Sequence, residues 1–463
     1  MSVNNRISLP DEYLSYLRRA ITDGGAYEQI PIFQFIDQYN KLTAYNPSFI
    51  FFPSADNQNK VYTLRPNTGS ADFSFTGSNV NTYFGRNGLL QSVQNNQPLL
   101  SYDGFPIGFR GVTVEGSFTN FNVNNNLLFP TGSNYRRRDF LANEFGPNNN
   151  GFGLEHISGT FLSSDYLLGT SQYTVPSGAI VTYNTLIKNP SSDIYGINFN
   201  NNVTTYRFST LTISSSSALG QQNLFSTIDR VGQNTYRISI ATRFNNGVQF
   251  FQARQALVNT VTPTNPAPIS GSFIIGLNTI SVATSSLQSH NFNTFIPTSG
   301  STRITKTQDT LSLTNISSSL GQQSGSLYYE IFYGQNGNNQ TLLDVFRDGN
   351  NKISAYVSSS GAIIADSIKN SINTGASSLG SIVLKNRNRF LITYNNTSGQ
   401  IKYYINGSLR ATETYADTTN WNLNTVFLGR NVNGLQPFNG SIFWFVAYNY
   451  DIADEGAIFL TSL

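Results

Sequence analysis

The chain of 463 residues has no cysteine and a single methionine, Met1. That excludes a disulfide framework, thiolate metal sites and cysteine nucleophiles. Only two histidines are present, His156 and His290. They are too far apart in sequence for any recognised metal spacing, and each reads as an ordinary surface or loop histidine. Charged residues make up 11%, less than half of the roughly 25% usual for soluble domains. The formal net charge of +3 is too small and too scattered to argue for nucleic acid or an anionic membrane. No apolar run approaches the roughly 20 residues that span a bilayer, and the N-terminus lacks the basic-then-apolar layout of a signal peptide. No Gly-rich phosphate loop opens a helix and no Gly-x-Ser-x-Gly elbow occurs. The expectation is a protein that folds in a cytosol, with no cofactor, no nucleic acid and no membrane.

What the chain does have is polarity from Asn, Ser, Thr, Gln and Gly, and 13% aromatic residues. That aromatic content is ample for several cores and argues against disorder. The length suggests about three domains at roughly 150 residues each. Helical signals are confined to residues 1–45. Leu9-Pro10-Asp11-Glu12 is a helix start with acidic residues in the first turn, and Leu14, Leu17 and Ile21 recur at helical spacing. After Gly24-Gly25 a second segment, from near Pro31, puts Phe35, Ile36, Tyr39 and Leu42 on one side. Two such short helices form no core alone. They either pack back on the next domain or dock on another protein. In the docking reading Tyr13, Arg18, Arg19, Phe33 and Phe35 carry the contact, because aromatics and Arg dominate interface energy.

Short strands follow throughout. Phe73 and Phe75 alternate with Asp72 and Ser74, and Tyr236, Ile238 and Ile240 alternate with Arg237 and Ser239. Asn87-Gly88, Gly232-Gln-Asn234, Asp348-Gly349 and Asn406-Gly407 are turns. Ile442 to Ala447 is continuously apolar and predicts a strand buried on both faces. Arg136-Arg137-Arg138-Asp139 is the one basic cluster; it reads as a solvated loop before a strand, or as a site for phosphate or an acidic glycan. The regular short strands and turns near 303–463 suggest a β-sandwich.

Three stretches also resemble known families. Pro47-Ser-Phe-Ile-Phe-Phe-Pro-Ser-Ala55, Lys60-Val-Tyr-Thr-Leu-Arg-Pro66, Ala71-Asp-Phe-Ser-Phe-Thr76, Gly85-Arg-Asn-Gly-Leu-Leu90 and Leu100-Ser-Tyr-Asp-Gly104 resemble a module of tailed-bacteriophage virion proteins. These are head-fibre and tail-fibre proteins of phages infecting gut Bacteroidetes (crAss-like). Gly77 stands where that family usually has Arg, and Asn79 to Gly85 depart from its pattern. Val231-Gly-Gln-Asn-Thr-Tyr-Arg-Ile-Ser239 and Phe295-Ile-Pro-Thr-Ser-Gly-Ser301 resemble a jelly-roll carbohydrate-binding-like domain. Tyr404-Ile-Asn-Gly407, Phe427-Leu-Gly429, Phe438-Asn-Gly-Ser-Ile442 and Ala447-Tyr-Asn-Tyr-Asp-Ile-Ala-Asp-Glu455 resemble a concanavalin A-like/laminin G-like domain.

Together these imply a mainly β chain of tandem β-sandwich (jelly-roll and concanavalin A-like) domains. The expected division is a helical N-terminal anchor (1–45), a phage-specific β-rich module (46–149), a jelly-roll unit (150–302) and a concanavalin A-like/laminin G-like sandwich (303–463). The implied function is a structural virion protein assembled in the host cytoplasm, a head fibre with weak glycan adhesion. The alternative is a tail-fibre receptor-binding protein for host surface polysaccharide; a depolymerase and a bacterial adhesin are further readings. Implied partners are other virion proteins of capsid or tail, a host surface glycan and further copies in a trimer or dimer. Retaining glucanases of the lectin-like fold carry Glu-x-Asp-x-x-Glu on one strand, paired for acid and nucleophile roles. No such run exists here, so the expectation is a non-enzyme. Asp348 reads as turn chemistry rather than as part of a calcium site with Asp344 and Asn350, since local residues alone do not supply six oxygens. Trp421, Tyr404 and Tyr356 would stack on sugar rings if exposed; a core or rim role is the other reading.

Overall fold

The computed structural model describes residues 37–462 except 57–59, 65–72, 78–81, 85–88, 93–95, 103–109, 116–117, 121–134, 147–148, 157–171, 175–176, 200–201, 216–220, 245–247, 251–252, 261–268, 284–303, 334–338, 384–385 and 435. The expected anchor residues Tyr13, Arg18, Arg19, Phe33 and Phe35 lie outside them. The described chain is mainly β, in several antiparallel sheets that build sandwich-like units.

The larger unit follows one hydrogen-bonded path. Its front half runs Ile372–Ser381, Ala362–Lys369, Asn351–Val357, Gln340–Asp348, Thr425–Leu428, Thr310–Thr314. Its back half runs Gly440–Tyr448, Ser324–Tyr333, Asn386–Asn395, Gln400–Ile405, Ser408–Thr414. Between them lie three strands from far earlier in the chain, Phe73–Thr76, Lys60–Leu64 and Phe49–Asp56. Phe75 pairs in register with Leu311, and Phe49 with Ala447. Arg110–Val114 adds to the start of Gly440–Tyr448, and Leu99–Tyr102 pairs with it in turn.

Alternation explains the layering. Ala362–Lys369 alternates half-buried and buried residues along its length, so Ile363 and Ala365 enter the core while Ile364 and Asp366 face outward. The core gathers Leu343, Val345 and Ile353 of the front half against Leu327, Ile331 and Ile392 of the back half. Phe49, Phe51, Phe73 and Phe445 form an aromatic knot there, with ring centroids 5.3–6.2 Å apart; such pairs add about 0.5–1.5 kcal/mol each beyond area burial.

Gly440–Tyr448 is buried at every position, as its unbroken apolar run predicts. The reason is a third layer. Residues 37–43 are helical and, with the C-terminal helix Asp454–Thr461, cover the back sheet's outer face. Leu42, Ala457 and Leu460 pack there on Ile50, Tyr328, Trp444 and Val446. Glu330 is buried in this layer. It accepts from Tyr328 Oη at 2.8 Å, Arg389 Nε at 3.2 Å and Arg387 Nη1 at 3.3 Å. A buried carboxylate so partnered is tolerated, and removal of one partner leaves an uncompensated charge.

The second unit packs one sheet, in the order Gln221–Gly232, Thr235–Phe244, Ile180–Lys188, Gly271–Ala283, Asn149–His156, Tyr135–Gly146, against a four-stranded sheet around Ile194–Phe199. Tyr183, Ile187, Tyr195, Tyr206, Ile238 and Ile240 fill the space between. Arg136, Arg137 and Arg138 are part of the strand Tyr135–Gly146, not of a loop preceding one. That strand pairs with Asn149–His156, so residue 149 lies inside a hairpin rather than between units. Phe118–Asn120 pairs with Ile304–Lys306 and touches Gly271–Ala283.

Where the chain crosses between the units, three charged residues are buried together. Lys306 Nζ lies 2.8 Å from Asp309 Oδ1 and 3.8 Å from Glu115 Oε2, with all three side chains at most 2% exposed. Glu115 N–H donates to Asp309 Oδ2 at 3.0 Å.

Candidate functional site

The outward face of the front sheet of the larger unit carries the most ligand-like arrangement among the described residues. Cross-strand register sets it out in three rows. Thr341, Tyr356 and Ile364 form the first. Asp344, Ser354 and Asp366 form the second, with Phe427 opposite Asp344. Phe346, Lys352 and Ile368 form the third. A polar row thus runs between two largely apolar ones. Tyr356, Phe346, Phe427 and Ile364 are half-buried.

The polar row is held from several sides. Lys352 Nζ crosses to Asp366 Oδ2 at 2.5 Å. Ser354 Oγ donates to Asp344 Oδ1 at 2.6 Å, and the Val432 N–H donates to Asp344 Oδ2 at 2.9 Å. Burial pushes the Asp344 carboxyl above its ordinary value, opposed by those two hydrogen bonds. Phe346 and Phe427 stack at 5.6 Å with 12° between planes. The Arg430 guanidinium covers Phe427 at 5.0 Å and donates to Thr310 Oγ1 at 2.7 Å, a cation–π contact of about 0.5–2 kcal/mol. Chemically, this face offers ring surface for an apolar ligand face and the half-buried Asp366 carboxylate and Lys352 ammonium for ligand hydroxyls, while Asp344 and Ser354 are buried.

Of the three rings singled out from sequence, only Tyr356 lies on this face. Trp421 is fully buried and stacks on the protein's own cation. Lys369 Nζ lies 5.0 Å from the Trp421 ring and 4.5 Å from the Tyr415 ring. It donates to Asn396 Oδ1 at 2.7 Å and to the Asp417 carbonyl at 2.6 Å. Burial brings the Lys369 amine down to about 8, opposed by the Asp417 charge. A ring so enclosed presents no face to a ligand, so the stacking role expected of Trp421 does not hold. The same applies to Tyr404, 1% exposed, whose phenol donates to Asp454 Oδ1 at 2.8 Å and is pushed well up, chiefly by burial. Asp454 also accepts from Lys402 at 2.7 Å. Both line a polar cleft of about 320 Å³ that includes Asn395, Gln400 and Asp451.

Asp348 Oδ1 accepts from the N–H groups of Asn350 at 2.9 Å and Asn351 at 3.1 Å, which is turn chemistry. Asp344 is turned away toward Ser354, so the two carboxylates do not converge. Among the described residues no group of three His, Cys, Asp or Glu gathers to hold a metal, and no helix is long and apolar enough to cross a membrane. Sequence reasoning missed Phe346, Phe427, Lys352, Asp366 and Arg430. The available signal was aromatic and charged residues at the non-core positions of alternating strands, which acquires meaning only when strand neighbours are known.

A family model described as the Concanavalin A-like lectin/glucanases superfamily, laminin G type, matches residues 305–455. The C-terminal part of the chain is accordingly a concanavalin A-like/laminin G-like domain, and the strands contributed by residues 49–114 lie outside that match. No curated protein sequence matches the chain. Among solved structures the chain is similar to the CBM40 module of a Ruminococcus gnavus IT-sialidase bound to α2,3-sialyllactose, at 20% identity over 31% of this chain and 84% of that one, with a TM-score of 0.28. It is similar to a SAP-like pentraxin of Limulus polyphemus at 14% identity over 30% and 70%, TM-score 0.27. It is also similar to the NanB sialidase of Streptococcus pneumoniae at 22% identity over 31% and 25%, TM-score 0.27. At these scores the structural likenesses say nothing about what this chain binds.

Proposed function

We propose that the C-terminal sandwich is a glycan-binding unit and that the whole chain is a non-enzymatic appendage of a tailed-phage particle. The observation that carries the glycan reading is the sheet face on which Tyr356 and Phe346 flank the polar row Asp344, Ser354 and Asp366. The lectin/glucanase description of the family matched at 305–455 supports it. Binding is preferred to hydrolysis because the two carboxylates of the face are already engaged, Asp366 by Lys352 and Asp344 by Ser354 and Val432. One open face with one or two stacking rings corresponds to millimolar affinity, roughly 4 kcal/mol.

The virion assignment rests on the sequence likeness of residues 47–104 to phage fibre modules. In this reading the protein stands on the particle surface as a head fibre, assembled in the host cytoplasm and attached through residues 1–45, with further copies of the chain as partners. Labelled antibody on intact particles tests this: decoration of the head supports a head fibre, decoration of the tail tip supports receptor binding, and no decoration removes the assignment. For the glycan reading, the full chain is incubated with host surface polysaccharide. Retention that Tyr356→Ala abolishes supports it, and release of reducing ends contradicts a purely binding role.

A further inference from the structure

We infer that the Tyr356 face takes an uncharged pyranose and excludes sugars that carry a carboxylate. This rests on the glycan-binding reading of that face. The cations of the face are committed within the protein. Lys352 is paired with Asp366 at 2.5 Å. Each nitrogen of the Arg430 guanidinium already donates: Nη1 to Thr310 Oγ1 at 2.7 Å, Nε to the Asn431 carbonyl at 3.2 Å, and Nη2 to the Val432 carbonyl at 3.5 Å. Its flat side lies on Phe427.

Recognition of a carboxylate depends on an open guanidinium fork or an uncompensated ammonium; here Lys352 is compensated by Asp366 and three of the five Arg430 N–H groups are taken within the protein. The half-buried carboxylate of the row is Asp366, beside which Ser354 and Asp344 lie buried. A ligand carboxylate laid beside Asp366 meets a like charge and competes with it for Lys352, and such juxtaposition at an interface is unfavourable. A neutral ring meets no such barrier. Its C–H face lies on Tyr356, and its hydroxyls donate to Asp366 and accept from the remaining N–H groups of Lys352.

The test uses the full chain and defined trisaccharides, with saturation-transfer NMR and titration as readouts. Maltotriose, mannotriose and cellotriose are the neutral probes; 3′-sialyllactose and trigalacturonate are the acidic ones. The expected result is millimolar binding of at least one neutral probe, weakened at least tenfold by Tyr356→Ala and retained by Tyr356→Phe, with no binding of the acidic probes. Asp366→Asn, which removes one carboxylate and releases Lys352, should gain measurable binding of an acidic probe. Thermal unfolding of each variant verifies that it is folded. Acidic-probe binding by the parent that Tyr356→Ala abolishes leaves the site reading standing and overturns this inference. No binding of either class, or binding indifferent to Tyr356→Ala, overturns the site reading and this inference with it.

Discussion

The Lys369 ammonium sits 5.0 Å from the Trp421 ring, enclosed with Tyr415 between the two halves of the larger sandwich. Lys369 ends a front strand, and Asn396, its hydrogen-bond acceptor, follows a back strand. The contact therefore ties the halves together at one end. Its amine is held at about 8 against an ordinary 10.5. Between those values the unfolded chain holds a proton that the folded one has released, so the stability due to this group rises as pH increases through that window. Urea unfolding of the full chain at pH 7.5 and 10 should show the parent gaining stability relative to Lys369→Met. A parent that loses ground on Lys369→Met over that range contradicts the assignment.

Trp421→Ala should cost about 3–5 kcal/mol, the range for large aromatic truncations that leave a cavity. The ring is fully buried and packs on Tyr394 at 5.8 Å and Tyr415 at 5.6 Å. Chemical denaturation measures the loss. A change below about 0.5 kcal/mol, the usual size for surface substitutions, would mean that the ring is not enclosed in solution.

Local features of the structure were readable in the sequence. Asn406-Gly407 forms its turn with φ of 46° and 79°, the left-handed pair that such a hairpin demands. The alternation of Tyr236, Ile238 and Ile240 gives the correct core face. What periodicity does not reveal is the partner. Ser239 reads as an outward polar residue, yet it is fully buried, because the other side of that sheet is also covered. Phe73 and Phe75 read as one half-buried strand of a local module, yet the strand pairs with Thr310–Thr314. Trp421 in a loop-rich stretch reads either as a stacking ring or as a core or rim residue, because a cation–π enclosure built from Lys369 and Tyr415 leaves no local pattern. Tyr356 was found and Phe346 was not, since the face exists only once three strands lie side by side.

The buried group at the crossing between units should respond to acid. Burial raises the Asp309 carboxyl from 3.8 to about 6, opposed by Lys306 and reinforced by Glu115. Between those values the folded protein holds a proton that the unfolded chain has lost, so stability due to this group falls as pH rises through the window and stays lower above it. Measured by urea midpoints at pH 4.5 and 6.5, the parent should lose stability relative to Asp309→Asn as pH rises. Gly77 tightens the same spot: a Cβ there would lie 2.5 Å from Asp309 Oδ1 and 2.9 Å from Phe75 Cε1. Gly77→Ala should therefore destabilise by about 1–3 kcal/mol, the range for overpacking.

Residues 303–463 should not fold when excised, although the family match covers most of them. Removing the earlier chain strips Phe73–Thr76 from Thr310–Thr314 and Phe49–Asp56 from Gly440–Tyr448. Two sheet edges lose their hydrogen-bonding partners, and exposed edges of this kind recruit other chains. Phe49, Phe51, Val61, Phe73 and Phe75 leave the core, and Leu42 leaves the outer layer over Trp444 and Val446. At about 1.5–3 kcal/mol for each large buried side chain, the deficit is as large as the roughly 5–15 kcal/mol that typically stabilises a whole domain. Expression of 303–463 alone should give aggregated protein or a collapsed state without near-ultraviolet dichroism. Co-expression with residues 37–115, which restore Phe49–Asp56, Lys60–Leu64, Phe73–Thr76, Leu99–Tyr102 and Arg110–Val114, should recover soluble, cooperatively unfolding material. A monodisperse, cooperatively unfolding 303–463 fragment would show instead that the early strands are applied to a sandwich already complete without them.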